Sequence, residues 1–313
     1  MQQTNIFSTA HKLFVAFMLV LSISGCQSGQ KKADKKEASI EDFMSDDKIF
    51  DDIDKAKKII YSLPSPLETA MIIKSAGAEY DQELLNSLSN IDKYTTNKAM
   101  ALNLGIYTTD LSFASLFEQT QTSIDYMNAA KSMAEGLDIT DVIDNDNMKK
   151  LENNLSNKDI VMDIISETFL NSSADLKESQ RQDVAAIVLV GGWIEGLYIA
   201  SELVGDKSID NNKLVDRILE QKLSFNIVQR LLEDNKAKAS GEQNADVVDM
   251  ITSLEPLQKA FDKVTVETSK PTVEGQNEAG VSQVASKTTV SVTPENFKVL
   301  QSEIEKLRTS FIQ

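Results

Sequence analysis

From Asp46 onward, apolar residues return every three or four positions, the period of a helix that buries one face. Ile49, Phe50, Ile53, Ala56, Ile59 and Ile60 make one such stripe on an otherwise charged segment. The next stretch, Ser62-Leu63-Pro64-Ser65-Pro66-Leu67-Glu68, holds a helix start: Ser65 suits the N-cap, Pro66 the first turn, and Glu68 closes a capping box. That helix should run through Met71, Ile72 and Ile73 and stop at Gly77. The pattern then predicts a long helical region over 93–136, bent near Gly105 or at Ser112. Further helices are expected over 148–155, 158–171, 177–204, 212–238 and 245–263, the last with a break or bend near Pro256. Few segments alternate with period two, so the expected fold is all-α: an antiparallel helical bundle or an irregular helix-pair superhelix.

The texture changes over 264–292, which is rich in Thr, Val, Ser, Gly and Glu and has no aromatic residue. Its two ends, 264–268 and 288–292, alternate as strands do and suit a small β-ribbon, while a mobile loop is expected over about 268–287. Thr293 and Pro294 then open a C-terminal docking helix, 294–312. Its stripe is Phe297, Leu300, Ile304, Leu307 and Phe311. The stretch Ala101-Leu102-Asn103-Leu104-Gly105-Ile106-Tyr107 resembles part of the tetratricopeptide signature, but the later positions are unmet and nothing recurs at the required period. A regular array is not expected.

Ahead of the helices, residues 13–23 form an apolar run of signal-peptide length, too short to span a bilayer with ease. It ends in Ile23-Ser24-Gly25-Cys26, which resembles the bacterial lipobox. The resemblance implies a lipoprotein signal peptide over 1–25, cleavage before Cys26, diacylation of the Cys26 sulfur and acylation of the new N-terminus with palmitate-like chains. Two or three acyl chains hold a protein stably where one would not. Gln27 differs from the Asp that resembles an inner-membrane retention signal, which favours the outer membrane. The sequence leaves open whether the body faces the periplasm or the cell surface. Residues 26–44, with their mixed charges and Gly and Ser, suit a flexible tether to a helical domain over 45–313.

Composition removes whole classes of chemistry. The chain carries a formal charge of −16, and cleavage after Gly25 would also remove Lys12, so nucleic acid and anionic lipid should repel it. Aromatic residues are scarce and Trp193 is the only tryptophan, which counts against sugar stacking. The one histidine, His11, lies in the signal segment, and the one cysteine is the lipid carrier. A mature body without imidazole or free thiol has no serine triad, cysteine nucleophile, His-ligated zinc or disulfide. Phosphate-cradling glycine motifs are missing as well. The acidic runs at 138–147 and 206–212 lack the central Gly and terminal Glu of a calcium loop and suit turns and caps. No catalytic residue, metal site or cofactor is assigned.

One stretch remains conspicuous. Residues 184–200, VAAIVLVGGWIEGLYIA, are apolar all round except for Glu195. Burial as a central helix is favoured over a membrane span, with Gly192 and Gly196 allowing a neighbouring backbone to approach and Gly191 adding flexibility. A buried carboxylate costs several kcal/mol unless it is paired, hydrogen-bonded or protonated, so Glu195 needs a partner. Asn103, Tyr107 and Asp110 share a helix face by three and four spacing and are the candidates, with Asn97 and Lys98 earlier on the same helix. Asn103, Tyr107, Asp110, Trp193 and Glu195 therefore make up a candidate polar or ligand cluster. Its two readings are packing specificity and a small-ligand or carboxylate-dependent site.

The stretches at 61–80, 92–117 and 191–200, taken with the tether, resemble an uncharacterised group of helical lipoproteins from Bacteroidota. The resemblance implies a compartment and an anchor but carries over no catalytic residue; a protein partner in the envelope is expected of a helical body that acts as a binding or assembly module.

Overall fold

The computed structural model describes residues 66–139, 181–205, 207–238, 242–268, 272–276, 282–285 and 288–313, with scattered positions between 149 and 176. The signal segment, Cys26, the tether and the stripe at 49–60 lie outside the described residues. Most of the helices expected over 148–155 and 158–171 do so too.

The first described helix, α1 (Pro66–Ser75), has Glu68 in its first turn and ends as its sequence demands. Gly77 takes φ +87°, a conformation open to a residue without Cβ, and the amides of Gly77 and Ala78 turn back to the carbonyls of Lys74 and Ile73. Two short 3-10 turns, Gln82–Leu84 and Leu88–Lys93, lead into α2 (Asn97–Leu116), capped by the Thr96 hydroxyl, which accepts from the Ala99 amide. The long helix expected over 93–136 is in fact a hairpin. It breaks not at Gly105 or Ser112 but at Glu118, which adopts φ +61°. There the amides of Glu118 and Gln119 return to the carbonyls of Ser115 and Ala114, the same helix-stop geometry as at Gly77 but built on a residue that seldom takes it. The chain then reverses into α3 (Thr120–Gly136), which runs antiparallel along α2: Ser115 bonds Ser123, and Tyr107 faces Tyr126.

The apolar run folds as α4 (Gln182–Val204). It is long and apolar enough to cross a membrane, yet other helices cover nearly all of it. Gly105 of α2 meets Val188 and Gly192 of α4 backbone to backbone, and Gly191 meets the Leu102 carbonyl in the same way. A Cβ at Gly105 or Gly191 would overlap main-chain atoms of the other helix. Gly191 is therefore part of the close approach, and Gly196 faces the side chain of Thr69 on α1 instead of a backbone. The Thr109 hydroxyl donates across this seam to the Gly192 carbonyl at 3.1 Å.

Next come α5 (Lys213–Lys238) and α6 (Glu242–Phe261). Asn212 caps α5 by accepting from the amides of Leu214 and Val215, so this end of the 206–212 acidic run does serve as a cap. Pro256 does not end α6, which continues to Phe261. Strands β1 (Thr265–Thr268) and β4 (Thr288–Ser291) pair antiparallel, with Val266 opposite Val290. The middle of the segment departs from the loop expected over 268–287. Strands β2 (Thr272–Gln276) and β3 (Ser282–Ala285) continue the pairing as a second two-stranded ribbon with an irregular register.

The last helix, α7 (Pro294–Ile312), starts on the Thr293 hydroxyl, which accepts from the Asn296 amide, and places Pro294 in the first turn. All five residues of its expected stripe are buried. It returns to α4, α6 and α2. A solenoid repeat touches only its neighbours in sequence, so this return of the final helix to earlier ones makes the fold a bundle around α4.

Candidate functional site

The face of α2 that carries Asn103, Tyr107 and Asp110 points into the bundle, and all three residues are fully buried. Glu195 of α4, equally buried, lies beside Asp110. Its partner is one that periodicity did not single out. Arg308 of α7 donates from Nε to Glu195 Oε2 at 2.9 Å and from Nη2 to Oε1 at 3.0 Å, a bidentate pair that occupies both carboxylate oxygens. The guanidinium also lies 4.4 Å from the centre of the Tyr198 ring and donates to the Leu84 carbonyl.

Asn86, between the two 3-10 turns, is the hub that ties Asp110 and Asn103 of α2 to Tyr94 and to Tyr126 of α3. Its amide donates to Asp110 Oδ2 at 3.1 Å, and its carbonyl accepts from the Tyr126 hydroxyl at 2.9 Å. Its side-chain nitrogen donates to Asn103 Oδ1 and to the Tyr94 hydroxyl, each at 3.0 Å. Two further bonds reach the end of α7: Asn103 Nδ2 donates to the Phe311 carbonyl, and the Tyr94 hydroxyl donates to that of Ile312. These carbonyls fall in the last turn, where a helix has no partners of its own to offer. Tyr107 donates to the Ser87 carbonyl.

Burial, and after it the negative charge of Glu195, raises the Asp110 carboxyl well above the usual carboxylate range. Arg308 partly offsets that push, and Asp110 and Glu195 are hydrogen-bond neighbours. For Arg308, burial acts downward, but the Glu195 charge and its hydrogen bonds outweigh it and hold the guanidinium protonated. Burial likewise lifts the Tyr94, Tyr107 and Tyr126 hydroxyls above their ordinary value.

The structure thus brings together four of the five candidate residues: Asn103, Tyr107, Asp110 and Glu195. Trp193 is elsewhere. Its indole nitrogen donates to Gln221 Oε1 at 3.0 Å, and its ring lies against Phe225 and Phe261. Lys98 also turns away from the cluster, to pair with Asp249 of α6. Asn86 sits on a segment with no periodic signal, while Tyr94 and Tyr126 fall within the helical region expected over 93–136 without being singled out there. Arg308 did have one, since Ile304, Arg308 and Phe311 follow the same four and three spacing as the apolar stripe.

What the arrangement can do chemically follows from its closure. Among the described crevices, none is lined by Glu195, Asn103 or Asp110. The one beside Trp193, between Thr69, Leu197 and Ile218, is about 30 Å³ and has room for a water or two. The groove along Gln82, Glu83 and Thr122 is wide open and reaches the cluster only at its edge, through Ser87 and Tyr126. The class defined is an all-α bundle pinned at its centre by a buried ionic and hydrogen-bonded cluster. Neither a protein-family description nor any curated protein or solved structure matches the chain.

Proposed function

We propose that the protein is a lipid-anchored component of the bacterial cell envelope, held in the outer membrane through Cys26, whose helical body is a non-enzymatic binding or assembly module with a protein partner in the envelope. The observation that carries this reading is Ile23-Ser24-Gly25-Cys26, directly after an apolar run of signal length, with its cysteine the only one in the chain. The body supports the non-enzymatic half. Both Glu195 oxygens are taken by Arg308, and Asn103 and Tyr107 bond to protein carbonyls, which leaves a small ligand few free groups to find there. A ligand site or carboxylate-dependent enzyme around Glu195 is therefore not adopted.

The test is the full chain expressed in a Gram-negative host fed a labelled fatty acid. The protein should take up label, sediment with outer membranes, and accumulate as a precursor when the lipoprotein signal peptidase is inhibited. Cys26→Ala should lose label and membrane attachment together. Unlabelled wild-type protein free of the membrane fraction would refute the anchor. Crosslinking of the labelled protein in its native envelope then tests for the partner, and a body that yields no crosslinked species would sink the assembly reading.

A further inference from the structure

Two carboxyl groups, Asp110 and Glu195, share a site that water does not reach, and one guanidinium faces them. Glu195 uses both oxygens on Arg308. Asp110 Oδ2 accepts from the Asn86 amide, while Oδ1 meets no protein donor. With both acids ionised, the cluster would hold two negative charges against one positive charge, and a buried oxygen would lack a partner; either defect costs several kcal/mol. One proton on Asp110 Oδ1 corrects both, since it cancels the surplus charge and turns the orphaned acceptor into a donor toward Glu195. The same cluster holds α7 by Arg308 and by the Phe311 and Ile312 carbonyls.

We propose that this cluster is a proton-operated latch on the C-terminal helix: Asp110 is a neutral acid in the folded protein, and loss of its proton loosens α7 from α2 and α4. The groups facing Asp110 are Glu195 of α4, Arg308 of α7, Tyr107 of α2, Tyr126 of α3, Tyr80 after α1, and the Asn86 amide. Arg308 is the only cation among them. The tyrosine hydroxyls stay neutral through the range in which Asp110 titrates, because burial raises Tyr107 and Tyr126.

The sign follows from linkage. A carboxyl whose folded-state affinity for its proton exceeds its unfolded one makes the folded state bind more protons, so stability falls as pH rises above the ordinary carboxylate range. The loss continues until the folded-state Asp110 itself ionises.

The test uses the full chain and two readouts. In the wild type, the Asp110 side-chain carbon, assigned through its bonds to the Asp110 backbone, should have the shift of a protonated acid well above the ordinary carboxylate range. Hydrogen-exchange protection of α7 amides, corrected for intrinsic rate, should fall at least tenfold more than that of α2 as pH is raised through the range in which that carbon shift titrates. Asn is a neutral mimic of the protonated acid, so Asp110→Asn should keep α7 protected across that range. The proposal is overturned if Asp110 titrates with ordinary carboxylates, if α2 and α7 lose protection equally, or if Asp110→Asn follows the wild-type profile. The carbon shift is read on the wild type, so it decides the matter even if the variant folds poorly.

Discussion

Within a few residues of each other, α2 and α4 make one contact that is almost bare backbone and another built from polar side chains. At Gly105 and Gly191 the main chains touch, and beside them the Thr109 hydroxyl reaches across to Gly192. At Asn103, Asp110 and Glu195 the same helices are joined through a hydrogen-bonded network that draws in Asn86 and Arg308. The first contact is governed by volume: any added atom collides with main chain that cannot rotate away. The second is governed by a count of charges, donors and acceptors, so an isosteric exchange is judged by what it does to that count.

The largest effect should come from breaking the volume rule. Gly191→Val puts a branched side chain where even a Cβ overlaps the Leu102 carbonyl, and the expected outcome is no cooperative thermal transition. A variant that melts within a few degrees of wild type would show that the seam opens easily.

The charge rule should give the next largest effect. Glu195→Gln leaves Arg308 without its carboxylate and should cost about 3–5 kcal/mol in denaturant unfolding near pH 5. Near pH 8 the cost should be smaller. Without Glu195, Asp110 is the remaining acid beside Arg308 and loses the second-largest push on its proton affinity, so that affinity falls although burial still raises it. The variant should therefore lose less stability than the wild type as pH rises, with a shallower slope. Parallel slopes would mean that Asp110 and Glu195 do not compete for one cation.

Smaller still is the effect of removing a single donor. Tyr126→Phe keeps the ring against Tyr107 but strands the Asn86 carbonyl, for a loss of roughly 1–3 kcal/mol. A change below about 0.5 kcal/mol would show that water or a relaxed backbone takes the hydroxyl's place.

The seam and the cluster also differ in how far the sequence disclosed them. The helical pattern located α4 and the α7 stripe, and the absence of any other charge between 184 and 200 was enough to predict a partner for Glu195. The choice of α2 residues on one face followed from spacing alone. Arg308 escaped because attention to an apolar stripe passes over an arginine that shares it, although its position between Ile304 and Phe311 carried the information. Asn86 had no local signal, since what makes it a hub is the path of an irregular segment fixed only by tertiary packing. Trp193 was counted with Glu195 by nearness along the chain. Two residues along a helix is about 200° of rotation, which puts the indole on the opposite side. Glu118 escaped for a similar reason: nothing in its chemistry announces a positive φ, whereas Gly77 does.

The attachment of Arg308 to the Leu84 carbonyl and to Glu195 has a consequence for the order of assembly. These contacts span 224 and 113 residues of sequence. Non-local closures of this kind slow folding, because the loop entropy is lost before the contact returns anything. A chain emerging from its N-terminus exposes Glu195 long before Arg308 exists to meet it. Until that helix arrives, the greasiest segment of the molecule carries an unanswered charge and holds its bundle ajar. The turn of α7 that carries Arg308 thus completes the centre.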